Sequence, residues 1–166
     1  MRHVTDKGLA LIKRFEGFSA TPYLCPVGWW TIGWGAVRGP DGQVVTAVTL
    51  PITEEEAEIL LRRDVSLAER AVSRLISVPL AGGQFDALVS FTFNLGAGAL
   101  QRSTLRRKVN REDHGAVPEE LRKWVWAGGK RLPGLVKRRE AEADIYTTSE
   151  SRQCPIDVQQ HSEWAR

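Results

Sequence analysis

The sequence predicts an α+β fold in which a short N-terminal helix and a small antiparallel sheet precede an all-helical body. Three observations carry this. Apolar residues recur at helical spacing before residue 16. The stretch from 21 to 49 is rich in Trp, Val and Thr and carries Gly–Pro turn chemistry. From Thr53 the period is helical again, to about Tyr146. A length of 166 residues favours one domain. Such a chain buries roughly two-thirds of its unfolded surface, so its core needs neither metal nor disulfides.

Taken in order, Thr5 and Asp6 are caps for a first helix whose apolar face is Leu9, Ile12 and Phe15, closed by Glu16-Gly17. Val27 to Trp34 and Val44 to Thr49 supply the β-forming residues, with Arg38-Gly-Pro-Asp-Gly42 as the turn between them. Thr53-Glu-Glu-Glu56 is a capping box opening a long helix that stops before Pro79. Gln84 to Phe93 is apolar on most faces, which predicts a buried central helix. Ser103 or Thr104 opens the next, and Pro118 the one after it, through Trp124. Gly128-Gly129 breaks the chain, and Pro133 starts a last helix. These elements predict one domain over 1–149, with a sheet lobe at about 17–52 and a helical lobe at about 53–148 that includes the first helix. A polar tail follows at 150–166.

A net charge of +3 is mildly basic and suits any anionic polymer without choosing one. Six tryptophans against two tyrosines suggest flat faces to be gripped as well as a core. Cys25 and Cys154 are too few for a disulfide framework, and His3, His114 and His161 show no ligand spacing, so no metal and no cofactor are expected. The first residues are too polar for a secretion signal, and no apolar run approaches the ~20 residues of a membrane span. The expectation is a protein made in a cytosol, with no stable membrane insertion.

Breaking a glycosidic bond needs an acid to protonate the leaving oxygen and an opposed group to handle water or the developing cation. An acid of this kind is kept protonated by an apolar surround. Glu16, between Phe15 and Gly17-Phe18 at the end of a helix, fits that description. Singly, Glu16, Cys25 and Thr31 are ordinary: a solvated acid, a small apolar residue and a strand former.

Together, Glu16, eight residues, Cys25, five residues, Thr31 resemble the Glu-x8-Asp-x5-Thr catalytic triad of the phage-type lysozymes, glycoside hydrolase family 24. Phe15-Glu16-Gly17, Pro22-Tyr23 and Trp30-Thr-Ile-Gly-Trp-Gly35 are similar to the family's surrounding motifs. So are Gln84 to Gly96, Ser103 to Asn110, Trp124 and Gly129 to Glu142, which are closest to the lambdoid-phage members. The resemblance runs from about residue 5 to 148. It implies a lysozyme-like fold with a cleft between the lobes, and an endolysin that cuts peptidoglycan for host lysis. Glu16 would be the general acid, residue 25 would steer or activate water, Thr31 would hold it, and the anomeric carbon would be inverted. Phe93 and Asn94 match a substrate-binding pair at the cleft floor, with Val37 on the sheet lobe's lip and Thr104 opposite. For Phe93 and Val37 ordinary core is the competing reading. The implied partner is the peptidoglycan glycan strand. The protein would be a monomer that waits in the host cytoplasm until a separate holin-like pore protein releases it.

Two departures stand out. The family's usual Asp is Cys25, and a neutral thiol is a poorer base than a carboxylate, although Cys is found at this position in the family. Ala36 stands where His is common, which bears on lobe packing more than on catalysis. Two other functions compete. One is a lysozyme-like protein that grips peptidoglycan without cutting it. The other is nucleic-acid binding through Arg106-Arg-Lys108 and Lys137-Arg-Arg139. Basic triplets on helices are usually solvated faces, and no recognition motif accompanies these, so no nucleic-acid partner is expected.

Overall fold

The computed structural model describes residues 2–25 and 28–148. Helix α1 runs Asp6–Glu16, with the Thr5 hydroxyl accepting from the Gly8 N–H as its cap. It stops at Gly17, whose positive φ of 72° is cheap only without a Cβ. Leu9 and Ile12 are buried along the predicted face. Helix α3, Gly82–Leu95, packs on this face, and its Asp86 accepts from both the Thr5 N–H and the Thr5 hydroxyl. Burial pushes the Asp86 carboxyl above its usual range, and the two Thr5 donations oppose that push.

Gly8 has no room for a side chain: a Cβ there would lie 2.5 Å from the Asp86 carboxyl carbon. In an ordinary helix Gly→Ala stabilises by about 0.5–1 kcal/mol. Here Gly8→Ala is expected to destabilise instead, by about 1–3 kcal/mol, because the carboxyl cannot retreat without leaving Thr5. Urea titration of the two proteins gives the sign directly.

The sheet is an antiparallel pair, β1 Ser19–Leu24 and β2 Trp30–Gly33. Tyr23 stands opposite Thr31 and Leu24 opposite Trp30, with an irregularity between Ser19 and Tyr23. The turn at Arg38–Gly42 forms as expected, closed by Gly42 N–H to the Gly39 carbonyl and by Gly39 N–H to that of Gln43. Val44 to Thr49 departs from expectation, since it forms no strand beyond one isolated bridge between Arg38 and Val44. Thr46 and Thr49 bond each other, N–H to hydroxyl at 2.9 Å and N–H to carbonyl at 3.1 Å, closing a turn that competes with any ladder. Val48 is left 87% exposed.

Helix α2, Glu54–Leu75, opens on the expected capping box of Thr53 and Glu56 and ends three residues before Val78-Pro79. Its Ala57 lies against Gly33 so closely that a Cβ on Gly33 would meet the Ala57 Cβ at 3.0 Å. That approach seats β2 on the helical body.

Beyond α3 the chain makes α4 Ala97–Arg102, α5 Thr104–Asn110 capped by Ser103, and α6 Val117–Arg122. Helix α6 ends two residues before the predicted Trp124. Gly128-Gly129 does more than break the chain. With φ of 56° and 74° it turns a short hairpin, β3 Trp126–Ala127 with β4 Lys130–Arg131. Helix α7 then runs Pro133–Thr148 and packs on α3 and α6. The core gathers Ile12, Phe85, Leu88, Phe91, Leu121 and Tyr146 from α1, α3, α6 and α7.

Candidate active site

Glu16 is the last residue of α1, and its side chain is 23% exposed. Its surround is not the apolar one its sequence neighbours suggest. Oε1 accepts from Arg138 Nη1 at 2.6 Å, across 122 residues of chain. Oε2 lies 3.9 Å from where a Cβ on Gly35 would stand. Gly35 has φ of 88° and lies two residues past β2, so the carboxyl has one oxygen tied to the helical body and the other beside the turn that follows the strand.

Arg138 is the residue that reading the sequence missed. As the middle of Lys137-Arg-Arg139 it reads as part of a solvated basic face, yet it is 3% exposed and Arg139 0%. Helical spacing places Glu142 on the same side of α7 as both. Arg138 Nε donates to Glu142 Oε1 at 3.4 Å, and Arg139 Nη2 to the same oxygen at 3.0 Å. Ser90 of α3 adds its hydroxyl at 2.7 Å. Arg139 Nη2 also donates to the Asn94 Oδ1 at 3.0 Å, which fixes that amide with its NH₂ free to face elsewhere. The available signal was the i,i+3 and i,i+4 placement of Glu142, which a solvated face does not need.

Cys25 follows β1, and its N–H bonds the Trp29 carbonyl at 2.9 Å, which extends the β1–β2 register by one pair. Opposed residues share a face, so Tyr23, Cys25, Trp29 and Thr31 all stand on one side of the sheet. Cys25 and Thr31 are diagonal neighbours there, roughly 7–8 Å apart at the backbone. Cys25 Sγ accepts the Trp29 N–H at 3.4 Å. Thr31 is buried and donates its hydroxyl proton to the Tyr23 carbonyl at 3.2 Å, which leaves the oxygen's lone pairs as acceptors.

The other candidates are placed as follows. Val37 is 46% exposed, so core is not its role. Phe93 is half-buried and packs on the core from α3. Asn94 joins the buried charges through Arg139. Thr104 is exposed, with its hydroxyl accepting from Arg107 at 2.8 Å. Ala36 is buried beneath the turn and bridges Ile32, so the position is filled by packing. Trp34 is buried, with the Lys13 ammonium 4.4 Å from its ring centroid. Cys154 lies outside the described residues, as does the polar tail. No helix among the described residues is long and apolar enough to cross a membrane.

The family model for phage lysozyme matches residues 13–142, from the helix that carries Glu16 to Glu142 itself. The chain belongs to the phage lysozyme family. It is accordingly a glycoside hydrolase of the lysozyme type. The endolysin of Acyrthosiphon pisum secondary endosymbiont phage 1 is 40% identical over 152 residues, spanning 89% of this chain and 99% of that one. The endolysin of Salmonella phage P22 is 35% identical over 146 residues, 88% of this chain and 99% of its own. Among solved structures, a mutant of P22 lysozyme superposes with a TM-score of 0.82 at 33% identity, covering 89% of this phage lysozyme and 99% of that chain. An endolysin from an Escherichia coli phage, FAHEc1, gives 0.80 at 39% identity, with 87% and 93% covered. The expected lysozyme-like α+β fold is thereby shown.

Proposed function

We propose that this chain is an endolysin that hydrolyses the β-1,4 bond between N-acetylmuramic acid and N-acetylglucosamine in bacterial peptidoglycan, with Glu16 as its general acid. The observation that carries this reading is the split carboxyl of Glu16. One oxygen is fixed by Arg138 and the other lies beside Gly35, just past the strand that carries Thr31. In the bound complex Oε2 protonates the leaving glycosidic oxygen. Cys25 and Thr31 hold the attacking water, one of its O–H groups donating a hydrogen bond to the Thr31 oxygen. As the water's oxygen bonds the anomeric carbon and the glycosidic C–O bond breaks, its surplus proton passes to bulk solvent. Attack comes from the face opposite the acid, so the anomeric carbon is inverted. Phe93 and Asn94, with Val37 and Thr104, bind the glycan. Asn94 offers its NH₂ because its oxygen is already engaged by Arg139.

Trp29 joins this set. It is 62% exposed and stands directly across from Cys25, a flat apolar face beside the place where a sugar ring must lie. Trp29→Ala is expected to weaken substrate binding by about 1 kcal/mol, roughly fivefold in KM, with kcat little changed. An unchanged KM on solubilised peptidoglycan removes Trp29 from the contact surface.

The chain works as a monomer and as one domain over 1–149. It is held in the host cytoplasm until a holin-like pore protein admits it to the wall. Product analysis on purified peptidoglycan tests the reaction: new reducing ends at N-acetylmuramic acid support it, and reducing ends at N-acetylglucosamine overturn it.

A further inference from the structure

We propose that Glu142 is a positioning residue for the acid: set between two guanidiniums, it shares the charge of Arg138 and so limits how tightly Arg138 holds the Glu16 carboxylate. This rests on the reading of Glu16 as the general acid.

The geometry is a chain of alternating charge. Glu16 meets Arg138 at 2.6 Å, Arg138 meets Glu142 at 3.4 Å, and Arg139 closes on the second Glu142 oxygen at 2.9 Å. Two acidic side chains face two guanidiniums, so their formal charges balance. Glu142 and Arg139 are 0% exposed, and Glu16 is the only member with appreciable access to solvent. Burial pushes the Glu142 carboxyl up and the Arg139 guanidinium down, and the attraction between the two opposes both shifts.

Stability alone is a poor reason for such a cluster, because well-packed apolar side chains fill the same volume at no greater cost. What apolar residues cannot supply is a graded field at Glu16. With Arg138 unshared, its full charge would favour the ionised carboxyl, which is the wrong form for an acid. Glu142 takes up part of that charge from the far side.

The surrounding elements add little to this field. From α1, Lys13 is paired with Glu58 of α2, and Arg14 lies against the Phe15 ring. Helix α3 faces the cluster with Ser90 and Asn94, while its Asp86 is engaged by Thr5. From α6, Arg122 is paired with Glu119 and Glu140, and Lys123 with Glu120. His114 turns its ring to the Tyr146 hydroxyl.

The test is the pH profile of kcat/KM on purified peptidoglycan for Glu142→Gln, Arg139→Gln and the double variant, each checked for folding by circular dichroism. Glu142→Gln leaves the cluster with an excess positive charge, so the alkaline limb should move to lower pH by about one unit, roughly tenfold in rate at a fixed pH on that limb. Arg139→Gln leaves an excess negative charge and should move the same limb to higher pH. The double variant restores neutrality and should return the limb to the wild-type position, even where loss of the Asn94 contact lowers its height. Limbs that coincide with wild type, or single variants that shift in the same direction, overturn the proposal. If one single variant does not fold, the other and the charge-balanced double still decide the sign. Glu16→Gln run alongside separates the two readings. If it stays active, Glu16 is not the acid; if it is inactive while the limbs stay fixed, the role of Glu142 alone falls.

Discussion

Glu16→Gln is expected to remove nearly all lytic activity while leaving the fold intact. Glutamine keeps an oxygen to accept from Arg138 Nη1, so the contact that places the side chain survives. What is lost is the transferable proton, and general-acid catalysis is typically worth ~10²–10⁴-fold. The measurement is clearing of chloroform-treated Gram-negative cells, with thermal melts of both proteins as the control for folding. A variant that melts like wild type and keeps more than a tenth of its rate would show that the proton comes from elsewhere.

The second large effect is expected at position 25. Cys25→Ala removes the sulfur that shares a sheet face with Thr31 and should cost about 10²-fold, the lower end of what a positioned group contributes. Cys25→Asp places a carboxylate, the better base, on the same face and should retain or raise the rate. The backbone pairing of residue 25 with Trp29 does not depend on its side chain, so neither change disturbs the hairpin register. Comparable rates for Ala, Cys and Asp would take residue 25 out of the mechanism and leave Thr31 to hold the water alone.

What could be read in advance follows from how local each signal is. Thr5, Thr53 with Glu56, Ser103 and Pro133 mark helix starts through contacts made within one turn, and each start lies where its cap predicts. The spacing of Glu16, Cys25 and Thr31 was legible for the same reason, since a helix end and one hairpin carry all three. Val44 to Thr49 misled because β-branched composition says nothing about whether a partner strand is present. The Thr46–Thr49 bonds consume the groups a ladder would need. The short β3–β4 hairpin was signalled by Gly128-Gly129 but is only two residues deep on each side. Arg138 and Arg139 were unreadable in a deeper sense. Their triplet looks like any solvated basic face, and the carboxyl that Arg138 holds lies 122 residues away in sequence.

That separation bears on when the enzyme comes into being. Translation delivers Glu16 well before the side chain that grips it, which lies 122 residues later on α7. A nascent chain that stops short of Arg138 lacks the gripping group, however well β1, β2 and α1 have formed. The geometry around Glu16 is therefore complete only once α7 has been made. A fragment cut before α7 carries Glu16, Cys25 and Thr31 intact, with no Arg138 to fix the Glu16 carboxyl.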